Sequence, residues 1–349
     1  MKKYYTRACN FFYGQNSKKL VENKKALPLC GNNSISFNQI EIFIRDKNKV
    51  NSKIINVRDI KKTSPFLKKK IKKDLKKITE RRGLLKNKSH ILMGVLNITP
   101  DSFSDGGKFN SYEKALKRIS SMKQAGADII DIGGESTRPG SKIIDQINEL
   151  KRVKRIIEKF KKKFSSTLLS IDSRKSLVIK HSIKHKADII NDVSCFKFDS
   201  NTFNLVKNKN LWKIIHHMQG TPQTMQINPR YNHVLLDIYD FFEDSINKKF
   251  KDKKIILDPG IGFGKTLKHN LTLISNISLF HSLGFPILVG TSRKRFINQI
   301  SGLYDSNERI GGTLASVLFL LSQGIQIFRV HNVREVKQGI LVFKKILSN

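Results

Sequence analysis

Short apolar runs alternate with longer segments of helical periodicity from residue 89 to the end of the chain. The runs are rich in Ile, Val and Leu, which is typical of strands buried on both faces of a parallel sheet. Each run is followed by a segment whose apolar residues recur every three or four positions, and this spacing predicts an amphipathic helix. The eight predicted strands span residues 91–97, 128–133, 167–172, 188–192, 212–217, 254–258, 286–290 and 325–331.

Eight strand–helix units in about 260 residues predict an α/β fold of the closed (β/α)8, or TIM barrel, type over residues 89–349. An open, doubly wound sheet is the alternative. Such a sheet usually has fewer strands and carries a glycine fingerprint after its first strand, where this chain reads NITPDSFSDGG. The barrel is therefore the favoured fold.

The first 88 residues have a different pattern and are predicted to form a basic N-terminal extension. Residues 40–44 and 54–57 resemble short strands, and residues 66–78 place Phe, Leu and Ile at helical spacing beside many lysines. Three readings stay open: a small α+β layer packed on the barrel, a basic surface that docks an acidic partner, or a partly mobile tail.

The charge of the chain is strongly positive and unevenly distributed. The 349 residues carry a formal net charge of +38, and residues 1–88 hold 25 of the 66 Lys and Arg residues but only six of the 28 acidic ones. This excess raises the expectation of a nucleic acid or an anionic membrane as partner. However, Lys far outnumbers Arg, as A+T-rich coding produces, and the lysine-dense residues 62–77 contain a single aromatic residue, Phe66, that could stack on a base. We therefore expect neither partner.

The three cysteines, Cys9, Cys30 and Cys195, show no CxxC spacing, which fits a reducing compartment. No apolar run approaches the roughly 20 residues of a membrane span, and the first 20 residues lack the apolar core of a secretory signal. The expected location is the cytoplasm.

Polar residues follow nearly every predicted strand at the point where its apolar stretch ends. In a parallel barrel these ends all meet at one face, where catalytic groups gather. The sequence therefore predicts a polar pocket there. Its candidate residues are Asn97, Glu135, Thr137, Arg138, Asp172, Asn191, Asp192, His216 or His217, Asp258, Arg293, Lys294, Arg329 and His331.

The residue types at these ends indicate the ligand. Asp172, Asn191 and Asp258 offer the donors and acceptors that hold a flat, polar heterocycle. Asn97 is a neutral oxygen ligand that suits a hydrated Mg²⁺ bound mainly by phosphates.

A second group of strand-end residues is cationic. Arg138, Arg329 and His331 suit an anion such as phosphate or diphosphate. The chain has no Ser-His-Asp or Cys-His arrangement in a recognisable order, so acyl transfer through a covalent enzyme intermediate is not expected.

Several motifs in order resemble the dihydropteroate synthase family of pterin-binding barrels. The resemblance extends over residues 90–347 and leaves the first 88 residues outside. The motifs are MGVLNITPDSFSDGG at 93–107, AGADIIDIGGESTRPGS at 125–141, SIDSRK at 170–175, IINDVS at 189–194, HMQGTPQTMQ at 217–226, ILDPGIGFGK at 256–265, VGTSRKRFI at 289–297 and RVHNV at 329–333.

The resemblance implies a reaction. Enzymes of this family join 6-hydroxymethyl-7,8-dihydropterin diphosphate to 4-aminobenzoate with the help of Mg²⁺, and dihydropteroate and diphosphate are the products. Loss of diphosphate leaves a cation on the pterin methylene carbon, and the arylamine attacks it. A homodimer is also what the family suggests.

The resemblance also implies roles for individual residues. Asp101, Lys294 and Asp258 would be catalytic, and Asn97 would contact Mg²⁺. The pterin would be held by Asp172, Asn191, Asp258 and Lys294, the diphosphate by Thr137, Arg138, Arg329 and His331, and the aminobenzoate by Phe103, Pro139, Phe263 and Arg295.

Two departures from the family pattern concern anion binding. Arg295 stands where Ser is common in relatives, and we expect it to bind the aminobenzoate carboxylate directly. Asn332 stands where Asp is frequent, so an arginine that the Asp would orient is expected to bind its anion less firmly. Neither change removes an expected catalytic group.

Two other functions stay open as alternatives. A methyltransferase-type pterin barrel would share the pterin-binding Asp and Asn positions, but it needs neither the two loops at 99–107 and 136–141 nor the RVH motif. The second alternative is an inactive barrel whose basic extension binds a partner or nucleic acid. Because the barrel alone matches the family, we expect it to keep much of its activity when residues 1–85 are deleted.

Overall fold

The computed structural model describes residues 2–85, 88–99, 108–136, 140–250 and 253–348. The extension forms a small antiparallel sheet with helices. β3 is its central strand and pairs with β1 along one edge and with β2 and β4 along the other. The elements are β1 (Lys3–Tyr13), α1 (Gly14–Glu22), β2 (Leu27–Leu29), β3 (Asn32–Asp46), β4 (Lys49–Asn56), a 3-10 helix (Val57–Lys62) and α2 (Pro65–Thr79).

The sheet of the extension is covered on both faces. Successive side chains of a strand point to opposite faces, so Thr6 donates a hydrogen bond to Asp74 of α2 at 2.7 Å, whereas Tyr5 packs edge-on against Tyr239 of the barrel. Of the apolar stripe predicted in α2, Ile71 and Ile78 are fully buried. Residues 2–85 therefore form a layer packed on the barrel; the boundary at residue 88 stays a prediction.

The remaining elements alternate regularly between strand and helix. Each predicted strand is present, with ends that differ from the prediction by two residues at most. The elements are β5 (Ile91–Asn97), α3 (Lys108–Gln124), β6 (Ile129–Gly133), α4 (Gln146–Lys163), β7 (Leu168–Asp172), α5 (Ser176–Lys184), β8 (Ile189–Asp192), α6 (Ser200–Val206), β9 (Trp212–His216), α7 (Val234–Lys248), β10 (Ile255–Asp258), α8 (Leu267–Ser275), a 3-10 helix (Ile277–Leu283), β11 (Leu288–Val289), α9 (Arg295–Ser301), α10 (Ile310–Ser322), β12 (Ile327–Val330) and α11 (Val333–Ser348).

The eight strands form a parallel sheet in the order β10-β9-β8-β7-β6-β5-β12-β11. A parallel bridge between Leu257 of β10 and Ile287, next to β11, joins the two ends of this order. The prediction of a (β/α)8 barrel is thus confirmed, and the doubly wound alternative is excluded. No helix among the described residues is both long and apolar enough to cross a membrane.

The barrel interior changes from apolar to polar along the barrel axis. At the amino-terminal ends of the strands, one apolar cluster fills the interior. At the carboxyl ends the inward-facing residues are polar, and the register aligns Gly133 with Asp172 and Asp172 with Asn191. The apolar cluster consists of Ile91, Met93, Ile129, Ile189, Ile214, Ile256, Leu288 and Ile327.

The contact between the extension and the barrel is extensive. Every residue of the 3-10 helix Ile277–Leu283 is buried, and this helix packs against β1 and α2. Ser278 donates a hydrogen bond to the carbonyl oxygen of Ala8 at 2.9 Å. Deletion of the extension would expose this apolar helix to water. From this contact we now expect, unlike from the sequence alone, that the barrel needs residues 1–85 to stay folded.

Candidate active site

One cavity at the carboxyl ends of the strands brings together most of the residues predicted from strand ends. Their side chains come from six strands and the loops that follow them, so the closure of the barrel creates the site. The predicted residues that line it are Asp172, Asn191, His216, Asp258, Phe263, Lys294, Arg329 and His331.

Asp258 lies at the end of β10 on the floor of this cavity. Its Oδ1 accepts a hydrogen bond from the backbone N–H of Gly260 at 2.8 Å. Burial raises the pKa of Asp258 to about 6, although this hydrogen bond and the charges of Lys294 and Arg329 oppose the shift. Gly260 has φ +68°, and a Cβ there would lie 2.0 Å from the carbonyl oxygen of His217, so the turn requires glycine.

Arg329 connects two carboxylates across the barrel mouth. Its Nε donates to Asp131 at 2.7 Å and its Nη2 to Asp172, also at 2.7 Å. Asp131 is fully buried and accepts further hydrogen bonds from Ser170 at 2.5 Å and from Asn191 Nδ2 at 3.2 Å. Burial raises the pKa of Asp172, and the Arg329 guanidinium opposes this shift.

Sequence reasoning missed Asp131, which is the centre of this network. Polar site residues were expected only where an apolar run ends, whereas Asp131 lies within the run at 128–133. A charged residue in the middle of a strand that is otherwise apolar was the available signal, because such a residue is rarely buried without a partner.

Lys294 and His216 contact the same aromatic ring. Lys294 Nζ lies 4.0 Å from the centroid of Phe263, and the His216 ring meets Phe263 edge-on at 4.6 Å. Burial and the surrounding cations hold the pKa of His216 well below its usual range, so its imidazole is neutral at pH 7. Phe263 therefore forms an apolar wall beside the polar floor.

Adjacent residues of a strand face opposite sides. In each of the two neighbouring pairs expected from the sequence, Asn191 with Asp192 and His216 with His217, only one residue can therefore face the cavity. Asn191 and His216 line the cavity. Asp192 instead accepts hydrogen bonds from the backbone N–H and hydroxyl of Ser194, and His217 lies next to Lys265, with 3.2 Å between Nδ1 and Nζ.

Lys265 is a second residue that the sequence analysis missed. Its ammonium group is buried and donates to the carbonyl oxygen of Phe263 at 2.8 Å. Together with the His217 contact, this bond fastens the loop at 259–266 to the end of β9. Burial lowers the pKa of Lys265 to about 7. Lys265 thus holds in place the loop that carries Phe263.

The anion side of the cavity contains His331. Its Nδ1 lies 3.1 Å from the hydroxyl of Ser292, which also accepts the His331 backbone N–H at 3.2 Å. Ser292 was not predicted. Five other predicted residues, Asp101, Phe103, Thr137, Arg138 and Pro139, lie outside the described residues.

The residues after Pro139 are held by the segment that follows β9. Gly140 N–H donates to the Pro222 carbonyl oxygen at 3.3 Å, and Gln223 Nε2 donates to the carbonyl oxygen of Ser141 at 2.9 Å. Gln226 donates from the same segment to the carbonyl oxygen of Gly262 at 2.7 Å. The segment therefore joins the loop after β6 to the loop after β10.

Several predicted residues do not line the cavity. Arg295 is exposed at the start of α9, and Asn97 is half-buried at the end of β5. Glu135 is buried between Arg174 and Lys175 at 3.1 and 2.8 Å. Strand-end position alone therefore overestimates the size of the site.

Asn332 contacts an arginine, as its position suggested. Its Oδ1 accepts hydrogen bonds from Nε and Nη2 of Arg293 at 3.1 and 2.8 Å. Nη1 of Arg293 donates to Asn307 at 2.7 Å. The guanidinium is thus oriented by two neutral amides beside the cavity, where an aspartate would have supplied a countercharge.

The chain matches known proteins over the barrel. A family profile described as pterin binding enzyme covers residues 93–331. The dihydropteroate synthase of Escherichia coli strain K12 is 40% identical over 261 residues, which are 74% of this chain and 92% of that protein. The extension lies before the region that the family profile covers.

Solved structures of dihydropteroate synthases are also similar to this chain. The Yersinia pestis dihydropteroate synthase, solved with a sulfonamide drug, has a TM-score of 0.69 at 38% identity and covers 74% of this chain and 95% of its own. The Xanthomonas albilineans dihydropteroate synthase, solved with 4-aminobenzoic acid, has a TM-score of 0.69 at 31% identity and covers 75% and 94%. On the fold, the cavity and these matches together, the chain belongs to the dihydropteroate synthase family of pterin-binding enzymes.

Proposed function

We propose a mechanism for the transferase reaction of this chain, in which 6-hydroxymethyl-7,8-dihydropterin diphosphate and 4-aminobenzoate give 7,8-dihydropteroate and diphosphate. The observation that carries it is the single cavity in which carboxylates and an amide face two cationic residues and a histidine. The first group and Lys294 suit the pterin, and Arg329 and His331 suit its diphosphate.

The floor of the cavity holds the pterin ring. Asp258 accepts hydrogen bonds from the N–H groups of the aminopyrimidinone edge, because an ionised carboxylate offers two oxygens in one plane. The Asn191 Oδ1 atom is buried and has no hydrogen-bond partner among the described residues, so it is an acceptor left for the ligand. Lys294 donates to an acceptor of the ring, and Phe263 covers its face.

The reaction separates charge, and the site stabilises both parts. The C–O bond to the diphosphate breaks with its electron pair on the leaving oxygen, and Arg329 and His331 stabilise that anion. The pterin methylene cation, delocalised into the ring, lies near the carboxylates of Asp172 and Asp258. The arylamine nitrogen then forms the new C–N bond, and its proton passes to water.

We propose Asn97, which lies half-buried at the end of β5 outside the lining of the cavity, as a ligand of a magnesium ion. Mg²⁺ prefers oxygen ligands and takes most of them from phosphates and water, so one neutral amide oxygen at the barrel mouth, that of Asn97, suffices as a protein ligand. When bound, the ion would neutralise charge on the diphosphate. Asp101, Phe103, Thr137, Arg138 and Pro139 keep their proposed roles around the diphosphate and the aminobenzoate, and Arg295 its proposed contact with the carboxylate.

Turnover of the full chain tests the proposal. We expect dihydropteroate to form only when pterin diphosphate, 4-aminobenzoate and Mg²⁺ are all present, and calorimetry to show aminobenzoate binding only after the pterin substrate. Methyl transfer from a reduced folate, without use of the diphosphate, would contradict the proposal and support the methyltransferase alternative.

We also propose that the chain forms a homodimer through the outer face of α10 and α11. Monomers rarely expose large contiguous apolar patches, and here Phe319, Leu341, Val342 and Ile346 are 47, 54, 56 and 65% exposed. Sedimentation should give a dimer, and Leu341→Lys should shift it toward monomer. A monomeric wild-type chain at micromolar concentration would refute the dimer.

The proposed location is the cytoplasm. The structure gives no disulfide for the three cysteines, Cys9, Cys30 and Cys195, and free thiols are usual in a reducing compartment. Fractionation of cells that produce the chain tests this location.

A further inference from the structure

We propose that Glu158, His181 and His185 form a site for a divalent transition metal that joins α4 to α5 on the outer face of the barrel. These residues take no part in the pterin site. One donor atom from each lies within 4.8 Å of the other two.

The two histidines are placed by the helical repeat. His181 belongs to α5, His185 follows it four residues later at the helix end, and residues at this spacing share one face of a helix. Their ring centroids are 4.5 Å apart with an interplanar angle of 41°. Glu158 approaches from α4, with 3.4 Å between its Oε1 and Nε2 of His181.

One atom of this cluster is left without a partner. Nε2 of His181 is buried and makes no hydrogen bond in the part of the chain that the structure describes. Buried polar atoms are nearly always hydrogen-bonded, and those that are not often mark the place of an ion or water. A metal ion between the three side chains would use this nitrogen.

The donor set selects the kind of metal. Two imidazole nitrogens and one carboxylate suit Zn²⁺, Co²⁺ or Ni²⁺, whereas Mg²⁺ and Ca²⁺ require oxygen ligands. The cluster is only half-buried, which leaves room for water as a fourth ligand.

The surrounding charges limit the affinity. Lys154 and Lys184 both act on His181 electrostatically, and positive charges repel a divalent cation. We therefore expect binding at micromolar rather than nanomolar metal concentrations. Lys184→Gln should tighten it.

The proposed ion would complete a pair of connections between the two helices. Near the active-site end, Lys175 at the start of α5 binds Glu149 of α4 at 2.7 Å. Glu158 and His181 lie nearer the opposite ends of the same helices. The metal would therefore stabilise the fold of this part of the barrel without contacting substrate.

Titration of the full, untagged chain with Co²⁺ tests the site. The chain is first treated with a chelator, which removes any bound metal. We expect one Co²⁺ per chain by visible absorption, a higher melting temperature with Co²⁺ or Zn²⁺, and no such rise with equal Mg²⁺. His185→Gln and Glu158→Gln should each weaken binding at least tenfold while the metal-free melting temperature stays unchanged.

The matched control is His269→Gln on α8. Gln also fits the third helical position that His269 occupies in its capping box. Unchanged cobalt binding in this control, with loss in the other two variants, supports the site. Absence of binding up to millimolar Co²⁺, or equal binding in wild type and both site variants, would overturn it.

Discussion

The barrel mouth and the interface between the extension and the barrel both contain clustered charged side chains, with carboxylates that are buried at the mouth and half-buried at the interface, but they satisfy them differently. At the interface, Arg45 donates to Asp237 at 2.5 Å and to Asp240 at 2.9 Å, and Lys3 lies 2.7 Å from both Asp240 and Glu243. The carboxylates there are matched by cations of the same chain.

At the mouth, Arg329 pairs with Asp131 and Asp172, but the protein leaves other polar groups without a partner of its own. The Asn191 Oδ1 atom has no partner among the described residues, and burial raises the pKa of Asp258 to about 6. Keeping a carboxylate ionised in a dry site costs folding free energy. We infer that the mouth sacrifices stability for ligand binding, whereas the interface contributes to stability alone.

Removal of the whole interface should have the largest effect. Deletion of residues 2–85 exposes Ile277–Leu283, whose seven residues are all buried, together with the apolar residues of α7 that face Tyr5. We expect the truncated barrel to aggregate or to show no cooperative unfolding transition, measured by solubility and calorimetry.

Co-expression of residues 1–88 as a separate chain is the control for this deletion. It should return the barrel to the soluble fraction if the contact, rather than the covalent link, is what matters. A soluble truncated barrel with turnover near that of the full chain would show that the interface is dispensable.

A substitution in the mouth should affect activity and leave stability intact. We expect Asp258→Asn to lower kcat/KM by about a thousandfold, roughly 4 kcal/mol, because the amide cannot accept two hydrogen bonds from the pterin or stabilise its cation. The melting temperature should stay equal to or above that of wild type. A large loss of stability would instead mean that Asp258 stabilises the fold, as the interface residues do.

A substitution at the interface should lower stability and leave activity intact. Arg45→Met retains an aliphatic side chain but leaves Asp237 and Asp240 short of a cation, and we expect a loss of about 2 kcal/mol in unfolding free energy. Lys3→Met should cost less, since the Lys3 side chain is 40% exposed and that of Arg45 only 17%. Steady-state kinetics at 25 °C should be unchanged in both; a lower kcat would mean that the extension positions the site.

The two regions also differ in how well sequence predicted them. The barrel strands were found because burial on both faces leaves continuous apolar runs. β1 was missed, since Arg7 and Asn10 interrupt its apolar residues. Arg7 is paired with Glu41 on β3, and no sequence pattern reports that pairing.

Within the site, the individual strand ends were predictable but their contacts were not. Asp172 and Arg329 were both expected at the mouth, yet their hydrogen bond joins residues 157 positions apart and depends on barrel closure. The same holds for Lys265, whose function as a support for the loop follows only from its contact with His217.

The pH dependence of stability is the smallest effect that separates the two regions. The pKa of Asp258 is raised to about 6 in the folded chain from its ordinary 3.8, so the folded chain holds this proton more tightly than the unfolded chain. Ionisation of Asp258 therefore weakens the fold as pH rises from about 4 to about 6, and above pH 6 the full penalty is present. Asp258→Asn avoids that penalty, which is what remains of the cost of burial after Lys294 and Arg329 have stabilised the carboxylate.

We accordingly expect Asp258→Asn to be more stable than wild type by at least about 1 kcal/mol at pH 7.5, with the difference shrinking below about pH 6 and disappearing near about pH 4. Melting temperatures of both proteins between about pH 4 and about pH 8 measure it. Asp305→Asn, at an exposed position, serves as the control and should show no such trend. If Asp258→Asn instead loses stability most at high pH, the ionised carboxylate stabilises the fold, and the mouth and the interface follow the same rule.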